Sequence, residues 1–348
     1  MKSKLPYASN GRLRLSGDLA GILSGIVVGQ PAAIANIIPH VEIYQAGLAA
    51  DGRPAGVFLL LGPTGTGKTR TVEAVAEALH GSAKKMVKVD CGEFQMEHEV
   101  AKLVGAPPGY LGHRETQPMF TQNKLNAMTS PNSDLSIVLF DEIEKAAPSM
   151  ARLLLGILDK ATLRLGDNST VNFEKSLIFL TSNLGARAMG RELRPGFGFE
   201  ALAPRSQERA SKLEAIGLNA VRRKFSPEFI NRLDAVITYK PLSAEALAQI
   251  LDQQLEMLQE HINNRLGDRA FNIEVPARTR KFLLKTGTSD EYGARELKRT
   301  LQNSLVLPVS RLLSDGSILP GDVVRADLNS ARTKIVLRNG TEPLEQVS

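Results

Sequence analysis

The sequence predicts an α/β protein: a larger domain with a parallel sheet between helices, then a small, mostly helical domain with a short β-hairpin. Three observations carry this expectation. Short apolar runs alternate with helix-like segments over the first two thirds of the chain. The composition changes after Pro241-Leu242, where amphipathic helical patterns take over. The last stretch alternates apolar and polar residues in two short pieces.

Residues 1–25 are polar and punctuated by Gly and Ser, and are expected to form an arm. From Ile26 to Gln45 one helix is expected, with Ile34, Ile37, Ile38 and Val41 in a 3.6-residue period. Asp51-Gly52-Arg53-Pro54 is a turn. Val57–Leu61, Met86–Val89, Ile137–Phe140, Leu177–Leu180 and Ala235–Ile237 read as strands. Such near-continuous apolar runs suit a parallel sheet covered on both faces. Thr69–Leu79, Ser149–Leu158 and Gln207–Phe225 read as the helices between them. Beyond residue 241, Ser243–Arg265 is an amphipathic helix capped by Ser243. Pro276–Lys285 and Ala294–Leu313 are also helical, and Asp322–Leu328 with Lys334–Arg338 forms the hairpin. The expected organisation is an arm at 1–25, a large domain at 26–240 and a small domain at 241–348.

Composition narrows the function classes. A chain of 348 residues has room for about two domains. With 43% hydrophobic and 23% charged residues it is not a wholly disordered chain. Its single cysteine, Cys91, excludes an intramolecular disulfide and a multi-cysteine zinc site, and points to a reducing, cytoplasmic compartment. Cys91 has no histidine at a plausible spacing and reads as a small buried residue. The histidines show no metal-ligand spacing. No apolar run approaches the ~20 residues of a membrane span, and the N-terminus lacks the apolar core of a signal peptide. The net charge of +6 suits nucleic acid, an acidic partner, or neither. Aromatic residues at 5%, with no Trp, argue against a base-stacking platform.

The chemistry concentrates in Gly62-Pro63-Thr64-Gly65-Thr66-Gly67-Lys68-Thr69, which fits G-x-x-x-x-G-K-[ST] between a strand and a helix. Its glycines let backbone N–H groups converge on phosphate oxygens, and the following helix turns its positive end to the anion. Lys68 would reach the β- and γ-phosphates, and the Thr69 hydroxyl would bind Mg²⁺. The strand Ile137–Phe140 ends in Asp141-Glu142, beside this loop in a parallel sheet. Asp141 is placed to hold Mg²⁺ through its water shell, and Glu142 to act as general base on the attacking water. Asn183, in Thr181-Ser182-Asn183, follows another strand; it could position that water, or form an ordinary turn.

These elements, in this order, resemble the AAA+ ATPases, and more closely the second, C-terminal ATPase ring of the Clp unfoldases (ClpA, ClpB, ClpC). The resemblance runs through Val28-Gly29-Gln30, Gly62–Thr69, the ten residues Leu103–Gly112, Leu139–Ala146, Thr181–Gly185, Phe225–Asp234 and Tyr292–Arg299. It covers nearly the whole chain from about residue 26. It implies a P-loop AAA+ large domain followed by a lid domain, binding ATP with Mg²⁺. It places Val27, Val28 and Gln30 near the adenine and makes Asn183 the first sensor. Arg232 becomes an arginine finger acting on a neighbouring subunit, which implies a homo-oligomeric ring, a hexamer. Arg295 becomes the second sensor. Gly109-Tyr110-Leu111-Gly112 becomes the pore loop whose tyrosine pulls substrate polypeptide. By residue type alone, Arg232 and Arg295 fit surface ion pairs, and Tyr110 fits packing on its own domain.

Two stretches depart from the family. After the pore loop this chain has Glu115–Asn123 where relatives carry Gly-Gly-x-Leu-Thr-Glu, and Val41–Leu48 lacks the relatives' arginines. Ile216-Gly217-Leu218 matches the peptidase-docking tripeptide of ClpA but falls inside an expected helix, which makes it a decoy. Pro195-Gly196-Phe197-Gly198-Phe199 lies in the right interval to dock a peptidase, or to pack as an apolar anchor. The reading that results is an ATP-driven, ring-forming unfoldase that threads unfolded or tagged protein through a pore. The alternatives are an AAA+ motor or loader on nucleic acid, a regulatory ATPase of a protease or other assembly, and a scaffold that binds nucleotide without hydrolysing it. No DNA-binding appendage follows residue 241, and the catalytic set is intact.

Overall fold

The computed structural model describes residues 17–105, 118–193, 206–288 and 293–339. The chain divides into two compact units, Met1–Pro63 with Gly67–Lys240, and Thr64–Thr66 with Pro241–Ser348.

In the first unit the strands are β1 (Gly56–Leu61), β2 (Val87–Asp90), β3 (Ser136–Asp141), β4 (Thr162–Arg164), β5 (Thr170–Asn172), β6 (Ser176–Ser182) and β7 (Ala235–Thr238). Five form one sheet in the order β2-β3-β6-β1-β7, with every neighbouring pair parallel. The expected strands are these five. Their apolar runs are continuous because alternate residues serve two cores. In β1, Val57, Leu59 and Leu61 face one cluster while Phe58 and Leu60 face the other. β3 and β6 divide in the same way. Phe58 stacks on Phe179 at 5.3 Å between ring centroids.

One face is covered by α1 (Gly17–Ile26), α2 (Pro31–Gln45) and α3 (Lys68–His80). The opposite cluster takes in α4 (Pro148–Lys160), Met189 of α5 (Ala186–Leu193), and Leu213 and Val221 of α6 (Ser206–Lys224). Two expectations are corrected here. The helix expected over Ile26–Gln45 begins only at Pro31, because Gly29 takes φ 74° and Pro31 opens a new helix. The arm expected through residue 25 is a helix from Gly17, with Leu19 and Leu23 buried one turn apart. β4 and β5 form a small antiparallel hairpin that the sequence reading did not anticipate.

At the C-terminal end of α3, His80 is 8% exposed and its Nδ1 lies 3.0 Å from Ser130 Oγ. Burial, helped by Lys85, lowers its pKa from 6.5 to about 4. Between these values the unfolded chain binds more protons than the folded one. His80's contribution is therefore complete above pH 6.5 and is lost as pH falls toward 4. Across that window the chain should lose on the order of 3 kcal/mol through this group. His80→Gln should flatten the pH dependence of the urea midpoint; an unchanged slope would assign the loss to other groups.

The second unit carries α7 (Ala244–Leu266), α8 (Ala277–Gly287), α9 (Ala294–Leu301) and α10 (Leu307–Ser314). Ser243 caps α7 by accepting from Ala246 N–H at 3.2 Å. The single helix expected over Ala294–Leu313 is interrupted by a π-turn at Gln302–Val306, just before Pro308, whose ring nitrogen donates no hydrogen bond. The expected hairpin is present as β9 (Val323–Leu328) and β10 (Ile335–Asn339), but β8 (Asn272–Glu274) joins β9 in parallel and makes a three-stranded sheet. Leu251, Phe271, Leu283, Leu297, Leu305 and Val324 are among the residues of its own core. No helix among the described residues is long and apolar enough to cross a membrane.

Candidate functional site

The parallel sheet brings the C-terminal ends of β1, β3 and β6 to one side, and the polar strand-end residues meet there. β1 leaves the sheet through Gly62-Pro63-Thr64-Gly65-Thr66-Gly67, and α3 begins at Lys68. Gly62 has φ 149°, and a Cβ there would stand 2.7 Å from the Tyr239 carbonyl oxygen, so only glycine fits this exit. Tyr239 is fully buried and donates its hydroxyl to Thr71 Oγ1 at 2.8 Å; Thr71 in turn donates to the Gly67 carbonyl at 3.0 Å. The first turn of α3 is thereby tied to the end of β7.

Lys68 is 8% exposed. Its ammonium donates to the carbonyls of Gly62 at 2.7 Å and Pro63 at 2.9 Å, and to Asn183 Oδ1 at 2.9 Å. The Asn183 amide nitrogen donates to Glu142 Oε1 at 3.1 Å. Asn183 therefore bridges the loop lysine and the strand-end glutamate with the two ends of one amide. Its backbone N–H donates to Glu144 Oε1 at 3.0 Å, which fixes the turn that carries it.

Glu142 is held in the left-handed region at φ 58°, an uncommon backbone for a non-glycine residue and one that clusters at functional sites. Thr181 supports it: the Thr181 hydroxyl accepts from Glu142 N–H at 3.0 Å and donates to Asp141 Oδ1 at 2.5 Å. Lys145 pairs with Glu142 Oε2, and this contact raises the Lys145 pKa. Lys88 pairs with Asp141 Oδ2 at 2.9 Å. Thr181, Glu144, Lys88 and Lys145 were not singled out in the sequence; a threonine at a strand end reads as ordinary turn chemistry.

Among the described residues no group of three His, Cys, Asp or Glu could hold a metal ion by itself. Thr69 at the start of α3 and Asp141 at the end of β3 each offer an oxygen donor at this end. That set fits Mg²⁺, which is usually bound through one or two protein oxygens, waters and substrate phosphates. Cys91 is fully buried, and burial followed by the carboxylates around it pushes its thiol pKa up, so it remains a protonated, apolar side chain.

The remaining candidates divide by position. Val27 and Gln30 are buried and Val28 half-buried in the turn between α1 and α2. Gln30 Nε2 donates to the Lys240 carbonyl at 2.8 Å and its Oε1 accepts from Lys240 N–H at 3.3 Å, which puts this turn at the loop end of the sheet. Arg232 lies at the other end: Asp234, two residues on, exchanges hydrogen bonds with Val57 at the start of β1. About 17 Å of strand separates Val57 from Gly62. Arg232 therefore does not join Lys68, Asn183 and Glu142, and pairs instead with Asp159 at 3.0 Å. Arg295 is exposed on α9 of the second unit. The pore-loop residues Gly109, Tyr110, Leu111 and Gly112, and the Pro195–Phe199 loop, lie outside the described residues. Ile216-Gly217-Leu218 is inside α6, where a Cβ on Gly217 would meet Leu61 Cδ2 at 2.6 Å and Met189 Cε at 2.8 Å. Close packing accounts for that glycine.

Known proteins resemble this chain over most of its length. Residues 53–236 match the family described as AAA domain (Cdc48 subfamily), and residues 242–326 match the C-terminal, D2-small domain of ClpB protein. The chaperone protein ClpB of Meiothermus ruber is 36% identical over 295 residues, 85% of this chain and 32% of that protein. The ATP-dependent Clp protease ATP-binding subunit ClpC of Staphylococcus saprophyticus is 35% identical over 310 residues, 89% of this chain and 36% of that protein. The structure of an S. cerevisiae Hsp104:casein complex in an extended conformation superposes with a TM-score of 0.79 at 29% identity, covering 97% of this chain and 53% of that one. The chain spans about one third of the length of these curated relatives.

Proposed function

Since the chain belongs to the AAA domain family and carries a D2-small domain of the ClpB type, we propose that it is an ATPase module whose ring drives polypeptide through a central pore. The observation that carries the proposal is the amide bridge of Asn183 between Lys68 and Glu142, which joins a phosphate-binding group to a general base. In this reading Lys68, with the loop N–H groups of residues 63–69, takes the β- and γ-phosphate oxygens. Glu142 accepts the proton of the attacking water, and Asn183 orients that water. When bound, Mg²⁺ on Thr69 and Asp141 supplies charge neutralisation between the phosphates. Val27, Val28 and Gln30 contact the adenine. Arg232 works on the nucleotide of a neighbouring copy, because its own phosphate loop is a strand length away; a guanidinium in trans can be worth ~10³–10⁵ in rate. Arg295 is assigned to the γ-phosphate as second sensor. Cytoplasmic residence and a hexamer complete the reading.

Tyr110 is assigned to gripping the substrate chain. Tyr110→Ala should keep ATP turnover within about twofold of the parent and abolish unfolding of a fluorescent casein or tagged-protein reporter. Persistent unfolding would remove Tyr110 from the mechanism. Turnover measured with and without unfolded casein, and separately with single-stranded DNA, separates the proposal from a nucleic-acid motor. Stimulation by DNA alone would overturn it.

A further inference from the structure

We infer that Asp159 is a positioning residue for Arg232, fixing the direction in which the guanidinium is presented to the nucleotide of an adjoining copy of the chain. The inference rests on the reading of Arg232 given above.

The backbone at Arg232 is already held. Ser226 caps the short helix Pro227–Ile230 by accepting from Phe229 N–H at 3.3 Å. Phe229 is buried and stacks on Phe225 at 4.8 Å. Arg232 N–H donates to the Phe229 carbonyl at 3.2 Å, and the Arg232 carbonyl accepts from Arg53 Nη2 at 3.4 Å. Arg53 also pairs with Asp234 at 3.6 Å, and Asp234 accepts from Val57 N–H at 2.7 Å. These contacts place the Cα but leave the long side chain to be aimed.

Asp159 does the aiming. Its Oδ1 lies 3.0 Å from Arg232 Nη1, with the two side chains 36% and 37% exposed. The Arg232 Nε is buried and makes no hydrogen bond among the described residues, and the ion pair engages Nη1 at the far end of the guanidinium. Asp159 sits in the last turn of α4, anchored by buried Leu154, Ile157 and Leu158. An exposed pair of this kind adds little to stability. Its worth is in orientation, where a displacement of about 1 Å can cost up to ~10²-fold in rate.

The test compares Asp159→Asn, Asp159→Glu, Arg232→Ala and the double variant Asp159→Asn/Arg232→Ala in the full chain. Asp159→Asn should lower kcat for ATP by roughly tenfold with KM unchanged, because the finger acts on transition-state charge. Asp159→Glu should restore most of it, and Asp159→Asn should cost nothing further on top of Arg232→Ala. Thermal midpoint and assembly size in a slowly hydrolysed ATP analogue should match the parent. Mixing adds a readout that a local folding defect would not give. Inactive Glu142→Gln chains carry an intact Arg232 and should raise the turnover of both Asp159→Asn and Arg232→Ala chains. Complementation of Arg232→Ala but not of a slowed Asp159→Asn would overturn the inference and leave the finger in place. So would an Asp159→Asn chain as fast as the parent or faster, which would make the pair idle or a brake. Full activity in Arg232→Ala would overturn the reading beneath it, and the inference with it.

Discussion

Glu142→Gln is expected to bind ATP and assemble like the parent chain while turning over ATP roughly 10²–10⁴-fold more slowly, the range lost with a general base. The geometry separates the two effects. A glutamine at this position keeps an oxygen to accept from Asn183 Nδ2, so the bridge to Lys68 survives. Its backbone can keep the N–H bond to Thr181. What it loses is the carboxylate proposed to take the proton, which also pairs with Lys145. Phosphate release in a single-turnover assay, beside binding of a fluorescent nucleotide, reads both quantities. Turnover within twofold of the parent would show that another group activates the water.

Lys68→Ala should give the complementary result. It removes a charged donor that makes three short hydrogen bonds from a nearly buried position. Contacts between an ammonium and phosphate oxygens are worth about 1.5–3 kcal/mol each, so the loss of one or two predicts an ATP affinity weaker by about 10- to 10⁴-fold. The variant also releases Asn183 Oδ1, which frees the amide from its bridging position. Titration with a fluorescent ATP analogue should show the weakened binding, and saturating nucleotide should not restore turnover. Unchanged affinity would detach Lys68 from the phosphates. Together the two variants distinguish a group that holds the substrate from one that reacts with it.

How much of this was legible in the sequence follows from burial and from distance along the chain. β1, β3 and β6 could be read because both faces are buried, leaving no polar residue to break the runs. α1 could not, because Gly-Asp-Leu-Ala-Gly-Ile-Leu-Ser-Gly-Ile carries three glycines and buries chiefly Leu19 and Leu23. β8 is three residues with a single apolar side chain, and its partner β9 is remote in sequence. That Lys68, Asp141, Glu142 and Asn183 lie at one side was legible because each lies at or soon after the C-terminal end of a strand of one parallel sheet. Thr181 was not, since a hydroxyl that joins two carboxylate-bearing positions has no local pattern. Asp159 escaped for the same reason: its partner Arg232 belongs to a distant segment, and an aspartate near the end of a helix is ordinary.

Arg232, placed near the start of β1 through Asp234, and Lys68, which follows its end, lie at opposite ends of that strand, and this polarity limits how copies can complete one another. With Arg232 acting on a neighbouring copy, as proposed, each chain gives at one pole and receives at the other. A two-fold pair joins the giving pole of each copy to the receiving pole of the other only where both poles lie on one shared face; otherwise the contact is head-to-tail. An open row of such chains always leaves one terminal site without its arginine, and a lone chain has none complete. Among head-to-tail assemblies, only a closed circle gives every nucleotide its full set of groups. Activity per chain should therefore rise with chain concentration and level off once the circles close.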